Sequence, residues 1–254
     1  MVVKTSGGRN RDHQSIYLPK TLDVSRSRNV RKLPAQACLL QMTILTLANS
    51  KGGGGKTTIA ACLAAELTRR GKYVVLLDAD PQQSLSVWHG NDGKLKELDL
   101  HTDASEKAAI WASEASKRAI VIVDTAGFAS TTLAAILKVS DVVLIPCRAS
   151  ALDARGVMAT HEMVQSTATN GVSVGCVLNA ATRTALVSHI RNELISAGIS
   201  VMGCEIGQRT VYAEAELAGS APCWMGRPAV KAADEISALA TELLPYLGEK
   251  MRKK

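Results

Sequence analysis

Aromatic residues are scarce in this chain of 254 residues. Only 3% of the residues are aromatic, among them a single Phe. Proteins that bind single-stranded nucleic acid without sequence preference stack the bases on aromatic side chains, so a base-stacking platform is not expected here. Long apolar runs are also missing, since none approaches the ~20 residues that a membrane-spanning helix needs. The composition is instead 46% hydrophobic, which is ample for a buried core.

Cysteine patterns typical of metal sites are absent as well. The six cysteines form no C-x-x-C pair and do not cluster with the five histidines. Their positions are Cys38, Cys62, Cys147, Cys176, Cys204 and Cys223. Several lie in apolar runs, as small buried thiols do in a reducing cytosol. The sequence therefore gives no support for a zinc or iron–sulfur site within one subunit, and the expected location is the bacterial cytoplasm.

Acidic residues are fewer than basic residues, and most of the difference comes from one segment of the chain. The formal net charge is +7. Residues 1–41 hold eight basic and two acidic residues, a net charge of +6, so the remainder of the chain carries only about +1. Any DNA contact by the remainder must therefore come from local patches rather than from its overall charge.

Residues 1–41 lack helical or strand periodicity and are rich in Ser, Arg, Asn and Gln. This composition predicts a disordered basic extension. Three explanations stay open. The start codon has been placed too far upstream, since Met42 opens the first predicted strand; or the segment is an arm that holds DNA electrostatically; or it is an Arg-rich, acid-poor transit peptide.

From Met42 onward, short apolar runs alternate with helical patterns, which is typical of βαβ units and a parallel sheet. Strands are predicted at 43–48, 73–77, 119–123, 142–146, 173–178 and near 200–202, and helices at 58–70, 105–116, 131–138, 153–168, 185–197 and 230–247. We find no internal repeat and no linker. The prediction is a single doubly wound α/β domain over residues 42–254, with a mainly parallel central sheet flanked by helices.

Residues 50–58 read Ser-Lys-Gly-Gly-Gly-Gly-Lys-Thr-Thr and lie between a predicted strand and a predicted helix. Such a loop cradles phosphates with its backbone N–H groups, places a lysine on the β/γ oxygens and a hydroxyl on Mg²⁺. Lys56 is therefore expected on the phosphates of ATP and Thr57 on Mg²⁺. The other expected nucleotide-binding residues of the loop are Gly52, Gly53, Gly54, Gly55 and Thr58.

One position of the loop departs from the usual pattern. Ser50 replaces the first glycine, and a second lysine, Lys51, follows directly. The pattern K-G-G-x-G-K-[ST] resembles the deviant Walker A loop of the ParA/MinD superfamily of P-loop ATPases. The resemblance implies a P-loop NTPase fold with ATP and Mg²⁺. It also implies a catalytic role for Lys51, which would reach across a nucleotide-sandwich homodimer to the phosphates bound by the other subunit.

Acidic residues follow two further predicted strands. Asp78 and Asp80 lie in the segment Asp-Ala-Asp-Pro-Gln-Gln-Ser, which follows directly from a predicted parallel strand. Carboxylates at the C-terminal edge of such a strand, next to the phosphate loop, lie where Mg²⁺ and the attacking water are expected. Resemblance to the family's D-x-D-P-Q switch implies that Asp80 orients or activates the water and that Asp78 supports the metal shell. Asp124 ends a wholly apolar strand, a Walker B pattern, and would bind a Mg²⁺-bound water, while D-x-x-G through Gly127 responds to the γ-phosphate.

The tract 80–88, DPQQSLSVW, resembles the small ParF-type plasmid partition ATPases in particular. The resemblance covers roughly residues 42–247 and implies an ATP-hydrolysing DNA partition protein, nucleoid-associated, that acts with a small centromere-binding adaptor and non-specific DNA. Residues 142–146 and 151–153 match the family's strand-and-proline segment. Asn179 lies where the family's adenine-facing loop begins, so it is either a base contact or a turn former at a strand end.

A MinD-like positioning ATPase that cycles on a membrane is the alternative. Relatives of that type end in a basic amphipathic helix, and this sequence ends in Lys250, Arg252, Lys253 and Lys254. The polar face of the last predicted helix carries Asp234, Glu235 and Glu242, however, which an anionic membrane repels. The cations follow the helix, where they complement its dipole. The sequence therefore favours partition, without a membrane partner.

Overall fold

The computed structural model describes residues 40–169, 171–182, 185–248 and 250–251. The predicted basic extension falls almost entirely outside them, so its nature and its boundary at residue 42 stay predictions. The strands are β1 (Leu40–Gln41), β2 (Ile44–Leu47), β3 (Val74–Ala79), β4 (Asp99–Thr102), β5 (Ile120–Thr125), β6 (Val142–Arg148), β7 (Ser173–Ala181), β8 (Val201–Gly207) and β9 (Lys250–Met251). The α-helices are α1 (Lys56–Arg69), α2 (Ser84–Gly90), α3 (Lys107–Ala115), α4 (Thr131–Leu137), α5 (Ala151–Thr167), α6 (Ala185–Ser196), α7 (Val211–Leu217) and α8 (Val230–Leu243).

Seven strands form one sheet in the order β4-β3-β5-β2-β6-β7-β8, and all neighbours in it are parallel. The chain winds outward from β2 on one side through β3 and β4, and on the other side through β6, β7 and β8. The loop after β2 therefore lies where the winding reverses, which is where ligands bind in doubly wound sheets. This topology confirms the predicted fold class. The short strands β1 and β9 pair antiparallel outside the sheet.

The sheet is covered by helices on both faces. On one face, β2 side chains such as Leu45 and Leu47 pack with Leu63 of α1 and Ile236 of α8. On the other face, residues of β6 and β7 pack with apolar side chains of α5 and α6. Buried on both sides, the central strands β3 and β5 are wholly apolar until their final carboxylates. The two helical layers thus fix the β-strand ends that carry the candidate site residues.

Most predicted elements are present, but several differ in extent, and five had not been predicted: β1, β4, β9, α2 and α7. Strands β5, β7 and β8 run further toward their carboxyl ends than predicted. Strand β4 was missed because it is a sheet edge with exposed and half-buried residues, which leaves no apolar run in its sequence. Helices α2 and α7 were missed because each has only two buried residues, too few to mark a helical period, whereas α4 is equally short but has four.

The acidic face of α8 packs against the edge of the sheet. Glu242 accepts hydrogen bonds from the backbone N–H groups of Gly203 (2.8 Å) and Cys204 (2.7 Å). Glu235 forms an ion pair with Arg209, while Asp234 is exposed. Two of the three carboxylates that the sequence assigned to a polar face therefore fasten α8 to β8. Within the described residues, no helix is both long enough and apolar enough to span a membrane.

Candidate nucleotide-binding site

The glycine loop connects the carboxyl end of β2 to the first turn of α1. Gly53 and Gly55 have φ angles of +76° and +93°, a left-handed conformation that disfavours other residues. A Cβ added to Gly55 would lie 2.1 Å from Nδ2 of Asn179. Glycine is therefore required at position 55 both by its backbone angle and by its neighbour. The loop leads directly into the N-terminus of α1, where N–H groups without a helical partner attract anions.

Two asparagine side chains hold this loop in place. Asn49 donates from Nδ2 to the carbonyl of Pro146 (2.7 Å) and accepts from the backbone N–H of Lys51 (2.8 Å). Asn179 donates from Nδ2 to the carbonyl of Gly54 (2.7 Å). These bonds tie the loop to the carboxyl ends of β6 and β7, so the sheet helps to fix the conformation of the loop.

Lys56, Thr57 and Asp124 meet at the start of α1. The Thr57 hydroxyl donates to Oδ2 of Asp124 (2.7 Å). The other oxygen, Oδ1 of Asp124, is buried and has no hydrogen-bond partner among the described residues. A buried carboxylate oxygen without a partner is costly unless a ligand supplies one. A hydroxyl and a carboxylate are oxygen ligands of the kind that Mg²⁺ and its waters bind, so these residues fit that ion.

Burial dominates the electrostatics of this site. Burial raises the pKa of Asp124 to about 7, and the negative charges of Asp78 and Asp80 also raise it. The hydrogen bond from Thr57 and the positive charge of Lys56 lower this pKa, but burial outweighs them. Burial also lowers the pKa of Lys56, although the charges of Asp124 and Asp80 oppose this. The site thus gathers acidic groups around one buried lysine, and a divalent cation would relieve their mutual repulsion.

The two carboxylates at the carboxyl end of β3, Asp78 within the strand and Asp80 just after it, have different surroundings. Asp78 is fully buried and lies opposite Asp124 in the β3–β5 register. Its Oδ2 accepts from both the backbone N–H (2.8 Å) and the hydroxyl (2.7 Å) of Ser86 in α2. Asp80 is half-buried, and its Oδ1 accepts from the backbone N–H of Gln82 (2.9 Å). Asp78 therefore anchors the turn that presents Asp80, and both expected roles toward metal and water stay predictions.

The D-x-x-G turn after β5 lies against the glycine loop. A Cβ added to Gly127 would approach Cα of Gly52 to 2.9 Å, so only glycine allows this contact. The next residue, Phe128, has more than half of its surface exposed. The turn therefore lies in close contact with the glycine loop, and its expected response to the γ-phosphate stays a prediction.

Sequence reasoning missed the residues that hold the loop. Asn49 has no motif of its own. Asn179 was expected either at the adenine base or as a turn former at a strand end; its amide supports Gly54, and the base contact stays a prediction. Lys51 lies beside Asp153, with 2.7 Å between Nζ and Oδ1. The pattern Ser150-x-x-Asp153 at the start of α5 is a capping box that could have drawn attention to this aspartate.

Several known proteins are similar to this chain in sequence and in fold. Residues 45–222 match the family model of the CobQ/CobB/MinD/ParA nucleotide-binding domain. The chain is 32% identical over 181 residues to Protein ParA of Rhizobium radiobacter, covering 67% of this chain and 81% of that protein. It is 31% identical over 210 residues to maintenance of carboxysome distribution protein A of Halothiobacillus neapolitanus, covering 79% and 96%.

Two solved structures illustrate the shared fold. The cell division ATPase MinD of Pyrococcus furiosus superposes with a TM-score of 0.64 at 20% identity, covering 80% of this chain and 98% of that one. Cobyrinic acid a,c-diamide synthase of Mycobacterium smegmatis, with a bound ATP analogue and magnesium, superposes with a TM-score of 0.64 at 19% identity, covering 81% and 95%. With the family model spanning most of the sheet, the chain belongs to the CobQ/CobB/MinD/ParA family of nucleotide-binding domains, as a P-loop ATPase of the ParA/MinD type.

Proposed function

We propose that this chain is an ATP-hydrolysing DNA partition protein. ATP binding closes a homodimer across the nucleotides, the dimer binds non-specific DNA on the nucleoid, and hydrolysis stimulated by a small centromere-binding adaptor reopens it. The observation that carries the proposal is the pair of lysines on one loop: Lys56 is buried at the start of α1, whereas Lys51 has a side chain that is 44% exposed. The similarity to the ParA protein supports the choice of DNA as cargo.

Each site residue has a distinct task in this proposal. Lys56 and the backbone of the glycine loop bind the phosphates, and Asp80 orients the attacking water. Thr57 and Asp124 would hold Mg²⁺, which would supply positive charge beside the phosphates. Lys51 of each subunit contacts the nucleotide in the other subunit, so full activity requires a dimer.

ATP turnover tests the proposal directly. The rate is measured for the protein alone, with double-stranded DNA, and with the product of any small neighbouring gene. We expect a slow basal rate that rises with DNA and the neighbouring protein together, and DNA binding that requires ATP and weakens with added salt. If neither addition stimulates turnover, the partition assignment is wrong.

Two variants separate the two lysines. Lys51→Ala should keep much of its ATP binding but lose ATP-dependent dimerisation and stimulated hydrolysis. Lys56→Ala should weaken nucleotide binding itself, because it removes the buried cation of the loop that is expected on the phosphates. Nucleotide titration and size-exclusion chromatography in ATP distinguish these results. Normal dimerisation of Lys51→Ala would contradict the sandwich arrangement.

A second candidate function is the positioning of a protein cargo on the nucleoid. The similarity that favours it is to the carboxysome distribution protein, almost the whole of which is matched. The two candidates predict different stimulating partners: a partition adaptor binds a specific DNA site, whereas a protein-cargo adaptor binds the cargo. Footprinting of the stimulating protein on DNA from around its own gene decides between them.

The membrane-cycling alternative makes a separate prediction. It requires ATP-dependent sedimentation with vesicles of anionic phospholipid. Because Glu235 and Glu242 fasten α8 to β8 and Asp234 remains exposed, we expect no such sedimentation.

A further inference from the structure

Helix α2 is fastened at its start to the candidate site. The turn that presents Asp80 ends at Gln83, which has a left-handed φ of +53°, a strained conformation for a residue with a Cβ. Three residues later, Ser86 donates two hydrogen bonds to the buried carboxylate of Asp78. Because α2 follows the turn directly, a displacement of α2 moves Asp80 as well.

The other end of α2 is fastened to the end of α7. Trp88 is buried, and its indole N–H donates to the carbonyl of Ser220 (3.0 Å). Asn91, the residue after α2, donates from Nδ2 to the carbonyl of Glu216 (2.8 Å). A Cβ added to Gly93 would lie 2.0 Å from the carbonyl oxygen of the residue that follows α7, so the two segments are in direct backbone contact. Helix α2 therefore connects the end of α7 with the candidate site.

The outer side of this junction carries exposed apolar side chains. Leu217, the last residue of α7, is 83% exposed, more than any other large apolar side chain of the described residues. Val87 is 64% exposed and lies one helical turn before Asn91, the residue that bonds to α7. Neighbouring exposed apolar side chains are typical of protein interaction sites. The junction between α2 and α7 is therefore a candidate docking surface.

The charges beside Leu217 are negative. Glu214 and Glu216 are exposed, and neither forms an ion pair within the described part of the chain. The lysines of the facing segment are engaged, since Lys96 pairs with an aspartate and Lys94 lies over an aromatic ring. Such a surface repels phosphate groups, whereas a basic segment with an apolar side chain complements it. We call the four exposed residues the α2–α7 surface: Val87, Glu214, Glu216 and Leu217.

We propose that the α2–α7 surface binds a basic amphipathic segment of the stimulating adaptor, and that α2 transmits this binding to the Asp80 turn. The inference rests on the proposed function, because it assigns a docking site to the partner of that function. A segment bound here contacts the last turn of α7, and the hydrogen bonds of Trp88 and Asn91 carry a displacement of that turn to α2. Stimulation then needs no contact between the adaptor and the nucleotide.

Leu217→Ser tests the apolar part of the surface. ATP turnover with double-stranded DNA is measured while the purified product of the small neighbouring gene is titrated. Burying a leucine side chain changes affinity by roughly 10- to 100-fold, so the concentration for half-maximal stimulation should rise by at least about tenfold. The rate without the neighbouring protein should be unchanged. Ile195→Ser alters an exposed apolar residue of α6 and is the matched control, which should leave the titration unchanged.

The acidic part of the surface is tested by salt dependence. A double variant, Glu214→Gln with Glu216→Gln, removes both charges. Exposed ion pairs change affinity by up to about fivefold each, so the half-maximal concentration should rise by roughly 2- to 25-fold at low salt. At high salt the double variant and wild type should converge, because screening removes the same attraction from both. Glu162→Gln, on the exposed surface of α5, is the control and should behave as wild type.

Asn91→Ala tests the transmission through α2. It deletes the amide that donates to α7 but leaves the α2–α7 surface in place. The half-maximal concentration should therefore stay close to that of wild type, while the ratio of stimulated to basal rate falls by about 2- to 10-fold, the effect of one hydrogen bond. An unchanged ratio would show that this bond does not carry the signal. Asn91→Ser replaces Asn91→Ala if the latter does not fold.

The outcomes are distinct. A higher half-maximal concentration for Leu217→Ser, with an unchanged basal rate and an unaffected Ile195→Ser, supports the inference. Wild-type stimulation of Leu217→Ser overturns it and leaves the proposed function intact. Sedimentation velocity in Mg²⁺ and a non-hydrolysable ATP analogue detects another occupant: weaker pairing of Leu217→Ser would mean that a second copy covers this surface, which also overturns the inference. If the neighbouring protein does not stimulate even the wild-type chain, the proposed function fails and the inference fails with it.

Discussion

Asp124→Asn should stabilise the nucleotide-free protein while destroying its response to magnesium nucleotide. Asp124 is fully buried, and its Oδ1 has no hydrogen-bond partner among the described residues. Asn has nearly the same shape and can still accept the hydrogen bond from Thr57. The substitution therefore removes the cost of a buried charge with little change in packing.

The size of the effect follows from the pKa of Asp124. Burial raises it from 3.8 to about 7. Below pH 4 both folded and unfolded chains are protonated and this group contributes nothing. Between pH 4 and pH 7 the Asp124 side chain ionises first in the unfolded chain, so its contribution to stability falls with rising pH by ~1.4 kcal/mol per pH unit, or about 4 kcal/mol altogether. Above pH 7 the loss is constant.

Urea unfolding of wild type and Asp124→Asn across this pH range provides the assay. The difference in free energy of unfolding, variant minus wild type, should grow by about 4 kcal/mol from pH 4 to pH 7 and then level off. Asp234→Asn, which changes an exposed aspartate of α8, is the control and should show no such growth. A difference that does not depend on pH would refute the reasoning. At pH 8, Mg²⁺ and ATP should raise the stability of wild type more than that of the variant.

Three further substitutions test contacts around the site and the sheet edge. Gly55→Ala should lower the free energy of unfolding in urea by about 2–5 kcal/mol and weaken ATP binding, because the alanine takes a left-handed φ and its Cβ displaces the Asn179 amide from the loop. In the double variant with Asn179→Ala, the loss should be less than the sum of the two single losses. Simple additivity would contradict the clash between the new Cβ and Asn179. Ser86→Ala should cost about 1–2 kcal/mol, because it deletes the hydroxyl donor to the buried carboxylate of Asp78 in β3. An unaltered unfolding midpoint would contradict that role. In Glu242→Gln, an NH₂ group replaces one of the two carboxylate oxygens that accept hydrogen bonds from the backbone of β8. We expect the free energy of unfolding to fall by about 1–2 kcal/mol and hydrogen exchange at the Gly203 and Cys204 amides to become faster. Unchanged exchange at these amides would show that the contact is not formed in solution.

The sequence predicted the elements whose signals are local. The strand that leads to Asp124 is apolar because it is buried on both faces. The glycine loop can be recognised in the sequence because left-handed φ angles and the close approach of phosphates to the backbone allow few residues other than glycine. Edge strand β4 escaped prediction because its residues are exposed or half-buried, and helix α2 because its two buried residues are too few to mark a helical period.

The sequence by itself determined the nucleotide loop, the acidic strand ends and the family, since each depends on residue types at short spacing. Only the tertiary structure decided how these parts are held. Asn179 supports Gly54 across 125 residues, and Asp153 holds Lys51 from a helix about one hundred residues further along the chain. No local pattern encodes such pairs, because they depend on which strands become neighbours in the sheet. The lysine that identifies the family from the sequence is thus positioned by a residue that only the fold brings to it.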